Sequence, residues 1–230
     1  MRKVCLFVLL AASLVQAKEK PEEVNDDGLV RVEHSLLEEL YVSPDAPLSH
    51  YKRVSIDPVT VTFRKDWRKA HPDVSDKQFA EFCDGLAQSL RDALVTELAR
   101  GGYTLTNSAD SDVLRVHASI EKVEFAAAIE KGEDKKLAAY DDDTKMMLRV
   151  RAFDAPSGVL VARAKDYVMA PRNGLQNADV VRANLISRRI FEKWAVELRS
   201  ALDVSHVGHG EPIAPDPVSG KMPDTVPLPR

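Results

Sequence analysis

The chain has 230 residues, 44% of them hydrophobic, with a formal net charge of −4. That is enough for one sizeable core and not two. The excess of 36 acidic over 32 basic residues excludes a general nucleic-acid binder, which needs a surplus of Lys and Arg to neutralise phosphates.

Arg2 and Lys3 precede an apolar run from Val4 to Val15, followed by Gln16 and Ala17. A basic start, an apolar stretch too short to span a bilayer comfortably and small residues at Val15 and Ala17 predict a signal peptide over 1–17, cut after Ala17. Loss of Arg2 and Lys3 takes the net charge to −6. Cys5 lies inside the apolar run and not at the cleavage point. The expectation is therefore an exported chain, periplasmic or secreted, that is not a lipoprotein and has no transmembrane helix after cleavage. Only Cys83 would remain, so no intramolecular disulfide is expected.

Residues 18–44 read as a flexible N-terminal arm: 18–27 (KEKPEEVNDD) is charged and poor in apolar residues. A short helical turn over 29–40 would face Leu36, Leu37 and Leu40 inward. The domain proper, 45–203, opens on the first core strand, 51–63 (YKRVSIDPVTVTF). Val54 and Ile56 alternate with polar neighbours. After Asp57-Pro58 the apolar positions become Val59, Val61 and Phe63, so the alternation slips by one residue. A one-residue slip reverses the faces unless the backbone bulges, and proline is tolerated at a bulge, so a bulge or sharp bend is predicted at Asp57-Pro58.

Arg64, Lys65, Trp67, Arg68 and Lys69 follow, a basic stretch around one aromatic and the candidate interaction patch. The alternative is a solvated connection whose tryptophan packs back on the domain. Ser75 to Gln78 fits a capping box, and Phe79, Phe82, Cys83, Leu86, Leu90, Ala93, Leu94 and Leu98 recur at helical spacing up to the stop at Gly101-Gly102. Cys83 on that apolar stripe reads as a small buried hydrophobe.

Tyr103 to Thr106 is a short strand candidate. Leu114, Val116, Ala118 and Ile120 then alternate with Arg115, His117, Ser119 and Glu121, the pattern of an antiparallel sheet covered on one side. His117 falls on the wet face and receives no ligand role. Residues 130–145 read as a charged loop. Asp141, Asp142 and Asp143 lack the alternating ligands, glycine and terminal glutamate of a calcium loop. Runs 146–153 and 159–168 form a hairpin about the turn 154–158, and 171–174 (PRNG) ends the sheet. A second helix over about 179–202 carries Ile190, Phe191, Trp194, Leu198 and Leu202. The Pro-rich stretch 204–230 reads as a disordered tail.

No glycine-rich phosphate loop, nucleophile elbow, paired-histidine metal motif or cysteine quartet is present. The sequence therefore names no catalytic, cofactor-binding or metal-binding residue, and no cofactor is expected. The order YKRVSIDPVTV, LVTELARGGYTL, DSDVLRVHASIEKVE, RAFDAPSGVLVARAKD, FEKWAVELRSALD resembles the domain-of-unknown-function 3313 family over about residues 45–203. The resemblance implies a bacterial cell-envelope setting and carries over no functional residue.

The expected architecture is a two-layer α/β (α+β) sandwich, a mainly antiparallel sheet of about four or five strands with two main helices on one face. The expected function is a non-catalytic envelope protein that binds another protein or a cell-wall component. The alternatives are a small-ligand or lipid-binding periplasmic carrier, and a hydrolase with no recognisable motif.

Overall fold

The longest strands, Val113–Ile129 (β6) and Leu137–Asp154 (β7), form the centre of the sheet. In this computed structural model the described residues are 24–72, 74–129, 137–169 and 180–207, with backbone alone for 125–129, 137–144, 180–186 and 206–207. Leu160–Met169 (β8) pairs antiparallel with β7 across the turn 155–159. That turn forms because Asp154 accepts from the Ser157 N–H at 3.1 Å and Gly158 adopts φ +69°.

Among the described residues the sheet has eight strands and not four or five. Val30–Arg31 (β1) and Glu39–Val42 (β2) occupy the stretch read as a helical turn, and β2 pairs antiparallel with β8. A turn precedes them: the Asn25 side chain accepts from the N–H groups of Asp27 and Leu29, and Gly28 takes φ +75°. Residues 30–31 and 39–42, expected in a flexible arm, are thus part of the sheet. Leu37 and Leu40 face inward as expected, whereas Leu36 is 65% exposed.

On the other side of β6 lie Arg53–Ile56 (β3), Thr60–Phe63 (β4) and the edge strand Thr104–Leu105 (β5). β3 pairs parallel with both β5 and β6, and β4 pairs parallel with β6. Ile56 stands opposite Val116 and Thr60 opposite Ser119, so four steps on one strand match three on the other. The extra residue is the bulge expected at Asp57-Pro58, where proline has no N–H to offer the ladder. It divides what the sequence presents as one strand into two.

Residues 137–145, expected in a loop, belong to β7, and the hairpin runs past the rest of the sheet with Ile129 opposite Leu137. The leader 1–17, the arm residues 18–23, the loop residues 130–136, the 171–174 turn and the tail from 208 on lie outside the described residues. Val204 to Val207, expected in that tail, continue the last helix.

Among the described residues the α-helices are Trp67–Ala70 (α1), Asp76–Arg100 (α2) and Val180–Val207 (α3). α2 starts at the predicted capping box, with Ser75 Oγ accepting from the Gln78 N–H and the Gln78 side chain accepting from the Ser75 N–H. It stops where Gly102 takes φ +85°. One core holds Leu86, Leu90, Leu94 and Leu98 of α2, Phe191 and Trp194 of α3, and the alternate residues Leu114, Val116, Ala118, Ile120, Met146, Leu148 and Val150 of β6 and β7. Both long helices therefore cover the same face of the sheet. Cys83 is half-buried beside it, and that burial pushes its thiol pKa up. Among the described residues no helix is long and apolar enough to cross a membrane.

Candidate interaction surface

With both helices on one side, Arg115, His117, Ser119 and Glu121 of β6, Arg149 and Arg151 of β7, and Arg163 and Lys165 of β8 stand on the other. The register sets Tyr41, Arg163, Arg151 and His117 directly opposite one another across β2, β8, β7 and β6. The next row is Glu39, Lys165, Arg149 and Ser119.

Most cations here hold an acid. Arg163 reaches Asp27 at 3.0 Å, Lys165 reaches Glu39 at 2.7 Å, and Arg149 reaches Glu121 at 3.0 Å. The Lys165–Glu39 hydrogen bond lowers the carboxyl pKa and raises that of the ammonium. Asp57, fixed by the bulge, accepts from Arg115 Nε at 2.9 Å and lies 3.6 Å from His117 Nδ1. The hydrogen bond to Asp57 raises the Arg115 pKa. Arg151 differs. It is exposed, its guanidinium lies 5.9 Å from the Phe153 ring centre, and it has no acidic partner among the described residues. Directly opposed like charges on a sheet are unfavourable. The Arg163–Arg151 pairing is thus a local cost that the fold does not need.

The patch expected around Trp67 is not one exposed surface. Trp67 is buried, in a tilted contact with Phe63 at 4.9 Å and stacked on His71 at 4.2 Å. Arg64 pairs with Glu124 at 3.0 Å, and Arg68 lies over Phe79, donates to the Val74 carbonyl and pairs with Asp76. Lys65 is exposed, and Lys69 is 3.9 Å from Asp66. The tryptophan anchors this stretch to the domain, and the cations surround the anchor.

A cleft of about 990 Å³ runs between α2 and α3. Three of its acids pair with cations, Glu97 with Arg100 at 2.6 Å and Arg199 at 2.9 Å, Glu197 with Lys193 at 2.8 Å, and Glu192 with Arg188 at 2.9 Å, while Asp92 at its rim has no salt bridge among the described residues. Arg199–Glu97 joins α3 to α2, and the other three pairs lie within one helix. Beneath α3, Asp166 is buried on β8 and accepts from Trp194 Nε1 at 2.8 Å and the Glu38 N–H at 3.2 Å. Among the described residues no group of three His, Cys, Asp or Glu side chains could hold a metal ion.

The model of a family described as a protein of unknown function, DUF3313, matches residues 22–197. The chain belongs to that family. No curated protein matches it. Similar solved structures include a Xanthomonas campestris protein of family DUF330 (10% identity, TM-score 0.42, covering 69% of this chain and 88% of that one). A minor lipoprotein of Acinetobacter baumannii is similar at 10% identity and TM-score 0.33, covering 66% and 94%. Lipoprotein GNA1162 of Neisseria meningitidis is similar at 9% identity and TM-score 0.32, covering 62% and 97%. The expectation that the chain is not a lipoprotein is corrected by the lipoproteins among these structures. The position of Cys5, on which it rested, lies outside the described residues.

Proposed function

We propose that this DUF3313 protein is a non-catalytic cell-envelope protein that docks a partner protein on the bare face of its sheet. The observation that carries the reading is Arg151, an exposed guanidinium facing Arg163 and His117 with no acidic partner among the described residues. Keeping such a residue disfavours the free protein and favours a complex in which a partner carboxylate sits beside it.

A protein partner fits better than a continuous polyanion such as an acidic wall polymer. Asp27, Glu39, Asp57 and Glu121 alternate with the cations of the face. A polyanion laid across the face would meet these acids, whereas a protein can place one carboxylate between them. The carrier reading requires an apolar cavity, and the α2–α3 cleft carries charged pairs along its lining. The test is chemical crosslinking in intact cells followed by purification of the chain. Adducts should form with the native protein and be lost from Arg151→Glu. Equal adducts from both would overturn the reading.

A further inference from the structure

The outer side of α2 is acidic. Glu81, Asp84 and Asp92 are exposed there, while Arg91 turns its guanidinium onto the Ile56 carbonyl at 2.7 Å. Lys77 approaches Glu81 only to 3.8 Å, and Asp92 accepts from Gln88 Nε2 at 2.7 Å. Neither Asp84 nor Asp92 has a salt bridge among the described residues.

These acids cannot serve Arg151 of their own chain. The inner side of α2, Leu86 to Leu98, packs on the covered face of the sheet, and Arg151 stands on the opposite face. Among the described residues, Arg151 is the cation of the face without an acidic partner, and Asp84 and Asp92 are exposed acids without a cationic one. A single carboxylate of α2 can therefore sit beside Arg151 between the acids already there.

We propose that the partner of the bare face is a second copy of this chain, bound head to tail. The outer side of α2 of one copy lies on the next copy's sheet, with Asp84 or Asp92 against Arg151. The contact joins two different surfaces, so repetition closes into a ring or extends as a filament according to the rotation per step. The inference rests on the docking reading above and adds the identity of the partner.

Sedimentation velocity on the purified chain tests it with a charge exchange. The native chain should associate at low ionic strength and dissociate at high. Arg151→Glu and the double variant Asp84→Lys/Asp92→Lys should each self-associate at least about tenfold more weakly. An equimolar mixture of the two should recover association, because the reversed charges then meet. Recovery also shows that both variants are folded. The neutral Arg151→Gln should lie between native and Arg151→Glu. A native chain that stays monomeric at low salt, or a mixture that fails to recover, overturns the inference. The crosslinked product in cells separates the two readings: twice the chain mass supports self-association, a mass that includes another protein overturns self-association but leaves docking intact, and no product overturns both.

Discussion

Arg151 and Arg163 stand directly opposite one another on β7 and β8, two guanidinium groups on neighbouring strands of one open face. Arg163 is relieved by Asp27 at 3.0 Å and by the Tyr41 ring, whereas among the described residues Arg151 meets the Phe153 ring and no acid. Removing the Arg151 charge should therefore stabilise the isolated protein. Arg151→Gln is expected to gain about 0.2–1 kcal/mol, the range for a cross-strand charge pair. Urea denaturation at low salt measures this, and a loss of stability would mean that the guanidinium has an intramolecular role.

The buried Asp166 joins the sheet to α3 through Trp194. Asp166→Ala leaves the Trp194 N–H without an acceptor in the core and should cost about 1–3 kcal/mol. Asp166→Asn keeps an acceptor oxygen and should cost less. The difference between the two urea midpoints checks the account; equal losses would place the effect elsewhere than in the indole hydrogen bond.

Tyr51 donates to Asp154 at 3.3 Å, and burial, with the nearby carboxylate second, pushes the phenol pKa from 10.0 up to about 12. Burial, with Asp203 as the nearby acid, also raises that of Tyr103. A neutral phenol is favoured in the folded state. Its contribution is therefore fully present below the unfolded pKa near 10 and is lost as pH rises towards 12. Stability should fall across that window, and less steeply in Tyr51→Phe. Denaturation midpoints between pH 9 and pH 12 test the sign, and identical slopes would refute it.

Trp67 should matter for folding more than for contact. Trp67→Ala removes a buried ring from the Phe63 and Phe79 cluster and should cost about 3–5 kcal/mol. Lys65→Glu, at an exposed position, should change stability by less than about 0.5 kcal/mol. Urea titrations of both variants provide the measurement; a Trp67→Ala protein as stable as the native one would refute the anchor role.

The parts legible in sequence are those with a strong period. Alternation through Leu114 to Ile120 marks β6, the spacing from Phe79 to Leu98 marks α2, and the slip at Asp57-Pro58 marks the bulge. β1 and β2 were hidden because they are only 2 and 4 residues long. There, Leu36, Leu37 and Leu40 give a spacing that also suits a helical turn. The charged composition of 130–145 concealed the strand that starts at Leu137, since its non-charged stretch, Leu137 to Tyr140, is four residues long and is followed at once by three aspartates.

The candidate surface was half visible. Alternation puts Arg149 and Arg151 on the wet side, but only register places Arg151 between His117 and Arg163. These residues lie on separate strands, and a single-strand pattern carries no register between strands. The same limit hid Asp57, which reads as turn chemistry and also fixes Arg115 at 2.9 Å. Of the two readings of Trp67, the tryptophan that packs back on the domain holds, with Phe63, His71 and Phe79 around it.

The central claim, that the bare face is where a partner docks, is tested most directly by a photo-crosslinking residue at Tyr167. This position is on the same face, is 43% exposed and has a similar aromatic shape. A matched probe at Val204 on α3, 70% exposed, serves as the control. In intact cells the Tyr167 probe should give a discrete adduct that disappears with Arg151→Glu, and the Val204 probe should give none that depends on Arg151. An absent adduct at Tyr167, or one indifferent to the Arg151 charge, would contradict the account.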